Sequence, residues 1–197
     1  MIPRWPVLFP LLLAAPAALA GPADDGRWYS GAYAFSDELG GFRIHAVSGT
    51  GSREDPITVV QELQSAGAAT LTIYAALPIN TTGKVGDRVT GMMHLRVVTM
   101  NNSGLPWIGF GFELQEVLGE PSTFGDGLSF DQRRMDSDNI GMDRFANYER
   151  QFEPFDRLEF LNGHVDPLEE ATFHFFISDF TPRDRFYLLQ DPLIPSS

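Results

Sequence analysis

Strand-period alternation with no accompanying helical stripe is the feature that most limits what this chain can fold into. Between residues 28 and 190 apolar side chains recur at every second position in run after run. After the first twenty residues no apolar stripe keeps helical spacing for three turns. Period 2 sends successive side chains to opposite faces of a pleated backbone, so each run predicts a strand with one face turned to a core. The candidate strands are 28–35, 41–47, 57–64, 70–77, 91–100, 107–117, 157–161, 171–179 and 185–190. In 107–117, Ile108, Phe110, Phe112 and Leu114 share one face, with Trp107, Gly109, Gly111 and Glu113 on the other. In 171–179, Phe173, Phe175 and Ile177 alternate with His174, Phe176 and Ser178, and the mixed second face predicts a central strand.

Clusters of Gly, Pro, Asn and Ser at 48–56, 80–83, 101–106 and 162–163 separate these runs and predict antiparallel hairpins. Short strands between such turns, without intervening helices, point to an all-β fold: an antiparallel β-sandwich, immunoglobulin-like or jelly-roll-like. Residues 119–150 break the rhythm. They are polar with scattered Phe and Met, and they predict one long irregular excursion that holds no more than a helical turn.

Residues 1–20 form a second, separate unit. Arg4 precedes an apolar run from Trp5 to Leu19, which is too short and too proline-broken (Pro6, Pro10, Pro16) to span a bilayer comfortably. Ala18 and Ala20 place small residues before a cut at Gly21, so the segment is expected to be a cleaved export signal. Residues 21–197 then make a single domain, large enough to bury its own core. No cysteine is present, which excludes disulfides and a lipid-anchored cysteine and suits a bacterial exported protein. No later apolar stretch has membrane-spanning length, so the expected product is periplasmic or secreted, without membrane insertion after cleavage.

The chain carries a net charge of −12, and losing Arg4 makes the mature form one charge more acidic. Most of the excess lies in 113–170, where 15 acidic side chains face five basic ones. Such a surface repels phosphate backbones, which excludes nucleic acid as a partner. Its plainest consequence is solubility.

Two segments carry a resemblance. Asn101-Asn-Ser-Gly-Leu-Pro-Trp-Ile-Gly-Phe-Gly-Phe-Glu-Leu114 is similar to the asparagine-turn-tryptophan strand of small exported bacterial sandwich modules, the kind that precede PEP-CTERM sorting tails. Val165-Asp-Pro-Leu-Glu-Glu-Ala-Thr-Phe-His-Phe175 resembles their second signature, a turn of the form V-x-P-G-E-x-A-x-F, with Leu168 standing where the glycine would be. The resemblance implies an immunoglobulin-like sandwich and assigns no activity, since fold analogy does not supply function. The sorting tail itself does not follow.

Candidate chemistry is sparse. Asp136, Asp138 and Asp143 offer oxygen donors at alternate positions around Gly141, a pattern that would suit calcium, with Asp126 or Asp131 as supplementary ligands. An EF-type loop would also need a donor at Ile140 and a carboxylate at Asn147, so an acidic turn without an ion accounts better for the residues. No other cofactor is implied. His45, His94, His164 and His174 are isolated in sequence and form no short metal-binding spacing. Gly91-Met-Met-His94 offers copper donors, though a methionine pair entering a β-core explains it better. There is no G-x-S-x-G, and Glu113 and Glu116 fall on opposite faces of their strand. Trp28, Tyr29, Tyr33 and Trp107 would make a stacking platform for sugar rings if exposed, and core filling if not. The chain is therefore expected to be a non-enzymatic binding or structural module of the cell envelope, with an envelope protein or a glycan as partner. The alternative is a carbohydrate-active hydrolase using paired carboxylates.

Overall fold

Each run of alternating residues needs a partner face for its apolar side, and the chain satisfies this by stacking two sheets. The computed structural model describes residues 21–132, 137–151 and 153–196; the export signal and Asp136 lie outside the described residues. The strands are β1 (Trp28–Ser30), β2 (Tyr33–Ser36), β3 (Phe42–Ser48), β4 (Ile57–Leu63), β5 (Ala69–Ala75), β6 (Met92–Asn101), β7 (Gly109–Gln115), β8 (Leu128–Phe130), β9 (Ile140–Met142), β10 (Phe145–Gln151), β11 (Arg157–Gly163), β12 (Glu170–Asp179) and β13 (Arg185–Leu193). The seven-stranded sheet runs β1-β2-β5-β13-β7-β11-β10. The six-stranded sheet runs β3-β4-β6-β12-β8, with β9 also paired to β12. The fold is the expected β-sandwich.

All nine expected runs form strands, and the run at 28–35 is split by a tight hairpin. Gly31 sits there at φ 54°, and a Cβ at that position would lie 2.6 Å from the Thr50 carbonyl oxygen. β12 is central, flanked by β6 on one side and by β8 and β9 end to end on the other.

Four expectations need correction. The sheets are not wholly antiparallel: β4 and β6 pair in parallel, because the chain leaves for the other sheet as β5 before returning beside β4. The turns at 80–83 and 101–106 are therefore crossings between sheets and not hairpins, whereas 48–56 does close the β3–β4 hairpin. The cluster at 162–163 belongs to the end of β11. Finally, the excursion at 119–150 contains β8, β9, β10 and a 3-10 turn at Ser137–Asn139.

Those strands are held by buried ionic chemistry. Asp156 accepts from Ser129 Oγ and, at 3.1 Å, from the Phe130 N–H. The Arg150 guanidinium lies 3.8 Å from the same carboxylate and also donates to the Asp131 carbonyl and to Ser129 Oγ, each at 3.2 Å. Burial pushes the Asp156 carboxyl up and the Arg150 guanidinium down, and the attraction between the two opposes both shifts.

The core is phenylalanine-rich. Phe110 and Phe112 of β7 and Phe160 of β11 meet Phe173 and Phe175 of β12 across the sheets, with centroids 4.8 Å apart for Phe110–Phe173, 4.9 Å for Phe160–Phe173 and 5.0 Å for Phe112–Phe175. One polar contact crosses it: Gln61 of β4 and Gln190 of β13, both fully buried, bond to one another amide to amide. The alternation expected for 107–117 fails at its start, since Trp107 is buried and Ile108 is 48% exposed. Trp107 precedes β7, forms an isolated two-bond bridge to Val165, and packs edge-on against Phe110.

Candidate functional site

With the inner faces committed to packing, chemistry is left to the outer faces. On the six-stranded sheet, β6 turns Met93, Leu95 and Val97 inward and leaves His94 and Arg96 outside. β12 does the same with Phe173, Phe175 and Ile177 against His174 and Phe176. Their antiparallel register sets His174 opposite Arg96 and Phe176 opposite His94, so the two histidines become diagonal neighbours on one face. The His94 and Phe176 rings touch, with centroids 4.6 Å apart.

β9 completes the far side of His174. Gly141 is the residue opposite, and a Cβ there would collide with the imidazole, so a glycine is needed for the ring to lie down on the sheet. Gly141 is thus a strand residue fitted to an imidazole, not the pivot of an ion-binding loop.

The β3–β4 hairpin forms the next wall. The His94 N–H donates to the Gly51 carbonyl at 2.9 Å, and the N–H groups of Thr50 and Gly51 both donate to the Asp55 carbonyl, which anchors the hairpin over β6. Arg53 reaches from it to Asn139 Oδ1 at 2.6 Å, and Asn139 in turn donates to Asp131 Oδ2 at 2.8 Å. Arg53, Pro56, His94, Arg96, Asp138 and His174 line an open groove of about 240 Å³. Burial is the main cause that lowers the pKa of both imidazoles; Arg53 acts in the same direction on His94, and Arg96 on His174. At neutral pH both imidazoles are therefore neutral, beside the Arg53 and Arg96 side chains and with Asp138 at the rim.

The outer face of the seven-stranded sheet is the reverse. Asp191 of β13, Gly111 of β7, Glu159 of β11 and Glu149 of β10 lie in one cross-strand row, and Leu189, Glu113 and Arg157 make the row beside it. These strands enclose a groove of about 190 Å³ that Gly111 leaves without a side chain at its floor. Glu113 is buried and fully engaged: Arg157 grips one oxygen through Nε and Nη2, and Gln115 Nε2 donates to the other at 2.7 Å. Burial raises the Asp191 carboxyl above its usual value, and Glu113 adds to this. Glu116 pairs instead with Arg183, as the opposite-face reading of Glu113 and Glu116 requires.

The remaining sequence candidates scatter. Trp28, Tyr33 and Trp107 are buried in the core, and only Tyr29 of the four aromatic residues is exposed, its hydroxyl donating to Asp25 at 2.7 Å. Three of the four are core filling. Asp143 Oδ1 accepts the Thr172 N–H at 2.8 Å, Asp126 accepts the N–H groups of Thr123 and Leu128, and Asp131 is bonded to Asn139. Among the described residues no three His, Asp or Glu side chains are placed to hold a metal ion. Only Met93 points into the core; Met92 shares the outer face with His94, so the expected methionine pair does not enter the core together and the Gly91–His94 donors are divided between two faces. His45 pairs with Glu62 at 3.3 Å, and His164 is exposed at the end of its strand.

Sequence reasoning treated His94 and His174 as isolated. The signal that finds them is the spacing His94-Leu-Arg96, two polar residues on one face of an otherwise core-forming strand. No protein-family model and no curated protein matches this chain.

Proposed function

We propose that this protein is an exported, non-enzymatic binding module of the cell envelope or extracellular space, and that the groove around His94, Arg96, His174 and Arg53 is its ligand surface. One observation carries the reading. On a chain of net charge −12, cationic or protonatable side chains from three separate segments converge on one open groove, and a glycine is spent to seat one of them. Export rests on the leader at 1–20. The resemblance to exported sandwich modules is supported by the way its two signature segments fold together. Asn101 Nδ2 donates to the Val165 carbonyl at 3.0 Å, and Leu168, at φ 70°, occupies the left-handed conformation that a glycine would favour.

The experiment has two arms. Fractionation with intact-mass measurement should find a chain beginning at Gly21 outside the cytoplasm, and an unprocessed cytoplasmic chain would end the export reading. Glycans and envelope proteins screened against the purified protein and its Arg96→Ala variant should give ligands that the variant loses. Retained binding in the variant would move the ligand surface elsewhere.

A second reading, hydrolysis by paired carboxylates, is favoured by the Asp191, Glu159 and Glu113 groove. A carboxyl raised by burial, with further carboxyl groups across the groove, is the arrangement that acid–base cleavage of glycosides uses. Release of reducing sugar from polysaccharides, abolished in Asp191→Asn, would establish it.

A further inference from the structure

The identity of the groups in the six-stranded groove constrains the ligand more tightly than the word binding does. Its polar lining is rich in donors: the guanidinium groups of Arg53 and Arg96 only donate, each neutral imidazole of His94 and His174 offers one N–H beside one acceptor nitrogen, and Asp138 is the carboxylate of the lining. A neutral sugar calls on acceptors as much as donors, which two guanidinium groups do not supply, and among the described residues no three His, Asp or Glu side chains are placed to hold a metal ion. A volume of about 240 Å³ falls just below the usual range for small-molecule pockets, which suits one small anion or the charged end of a larger molecule.

We infer that the groove is a proton-assisted oxyanion site, which takes a carboxylate or sulfate group and binds it more tightly as the two histidines become protonated. The inference rests on the groove being the ligand surface, as argued above, and adds the ligand's chemistry and its control.

His94 is faced by Arg53 and Glu54 from the β3–β4 hairpin, by Asp131 after β8 and by His174 of β12. His174 is faced by Arg96 of β6, with Asp138 of the 3-10 turn on the same groove and the uncharged Gly141 beneath its ring. Burial and the neighbouring guanidinium groups keep both imidazoles neutral near pH 7. An oxyanion lodged between Arg96 and His174 reverses that balance. The new negative charge offsets the guanidinium repulsion and favours the imidazolium form, so binding takes up protons. By linkage, affinity rises as pH falls through the depressed pKa range of the pair. Arg96 gives the anion a charge-assisted partner at every pH, whereas the histidines make that affinity conditional.

The test measures binding of sulfate, glucuronate and glucose to the purified protein at about pH 7.5 and about pH 5, with imidazole resonances of His94 and His174 followed by NMR. Sulfate and glucuronate keep the same charge at both values, so a change reports the protein's own titration. Expected is binding of the anions that tightens about tenfold at the lower pH, with both imidazoles shifting, and a gain that is lost in His174→Gln and in His94→Gln. Arg96→Ala should weaken anion binding at both pH values. Glucuronate binding tighter than sulfate assigns an acidic glycan, and the reverse assigns an inorganic or ester sulfate.

Glucose binding as well as the anions do, without pH dependence, would overturn the oxyanion inference and leave the groove standing as a ligand surface. If no probe, charged or neutral, moves either imidazole, the ligand-surface reading falls too. Should either variant fail to fold, the pH dependence and imidazole shifts of the unaltered protein still decide the matter.

Discussion

The outer faces of the two sheets are made by the same device and reach opposite chemistry. In both, antiparallel register lines up residues that alternate with buried phenylalanines, and in both a glycine opens space: Gly141 beneath His174 on one face, Gly111 beside Asp191 on the other. The six-stranded face collects Arg53, Arg96 and two histidines held neutral by burial. The seven-stranded face collects Glu113, Glu149, Glu159 and Asp191 around Arg157. The difference shows how little the folding pattern demands of outward positions. The inner face fixes the period and the bulk, and the outer residues are then available to set the sign of each groove.

The two faces can carry different chemistry only while the layer between them is rigid, and the largest expected effect tests that layer. Phe173 contacts Phe110, Phe112 and Phe160 from the opposite sheet and is flanked in its own strand by Thr172 and His174. Phe173→Ala should cost about 3–5 kcal/mol in denaturant unfolding, whereas His174→Gln and Glu159→Gln, on the two outer faces, should each stay within about 1 kcal/mol. Equal losses at all three positions would break the division between packing and chemistry.

Much of that division is legible in the sequence, and what is not has physical causes. Phe173, Phe175 and Ile177 against His174 and Phe176 can be read directly, because a ten-residue strand shows its period. β8 and β9 cannot: three residues show no period, and nothing local in the sequence marks Asp131, Arg150 and Asp156 for burial, which they reach by pairing with one another or with nearby polar groups. Trp107 misled in the other direction, since a bridge to Val165 buries it before its strand begins. For the candidate site, the outward direction of His94 and of His174 follows from alternation, but their meeting depends on the order β6-β12-β9. No local pattern encodes that order.

A smaller effect tests the glycine that makes the six-stranded face what it is. Gly141→Ala puts a methyl group where the His174 ring lies, and relief requires the ring to swing away. His174 is exposed and only its side chain stands in the way, so the expected cost is about 1 kcal/mol or less. Because the clash is with a single side chain, the cost should largely disappear in a His174→Ala background. A double-mutant cycle reads this directly: a coupling near zero would show that Gly141 is there for the backbone and not for the imidazole.

The smallest effect separates the faces by the sign of their pH response. The pKa of His94 is depressed below 6.5 in the folded protein, by burial first and then by Arg53, so between its folded pKa and 6.5 the unfolded chain binds more protons. Stability from this group therefore rises with pH through that window and is lost as pH falls through it. Asp191 behaves in the opposite way. Its folded pKa is raised above 3.8, by burial first and then by Glu113, so above 3.8 and up to that value the folded protein binds more protons, and stability falls as pH rises. Both groups are partly solvated, which keeps each contribution small. The measurement is the difference in melting temperature between variant and unaltered protein across the pH range. Subtraction removes the shared titration of Asp179, whose carboxyl burial pushes up to about 6. For His94→Gln, which removes the group that resists protonation, the variant should gain relative to the unaltered protein only as pH falls below 6.5. For Asp191→Asn, the gain should appear at neutral pH and vanish as pH falls towards 3.8. Two difference curves of the same slope would mean that the grooves share one electrostatic environment, and the contrast between the faces would then be one of residue type alone.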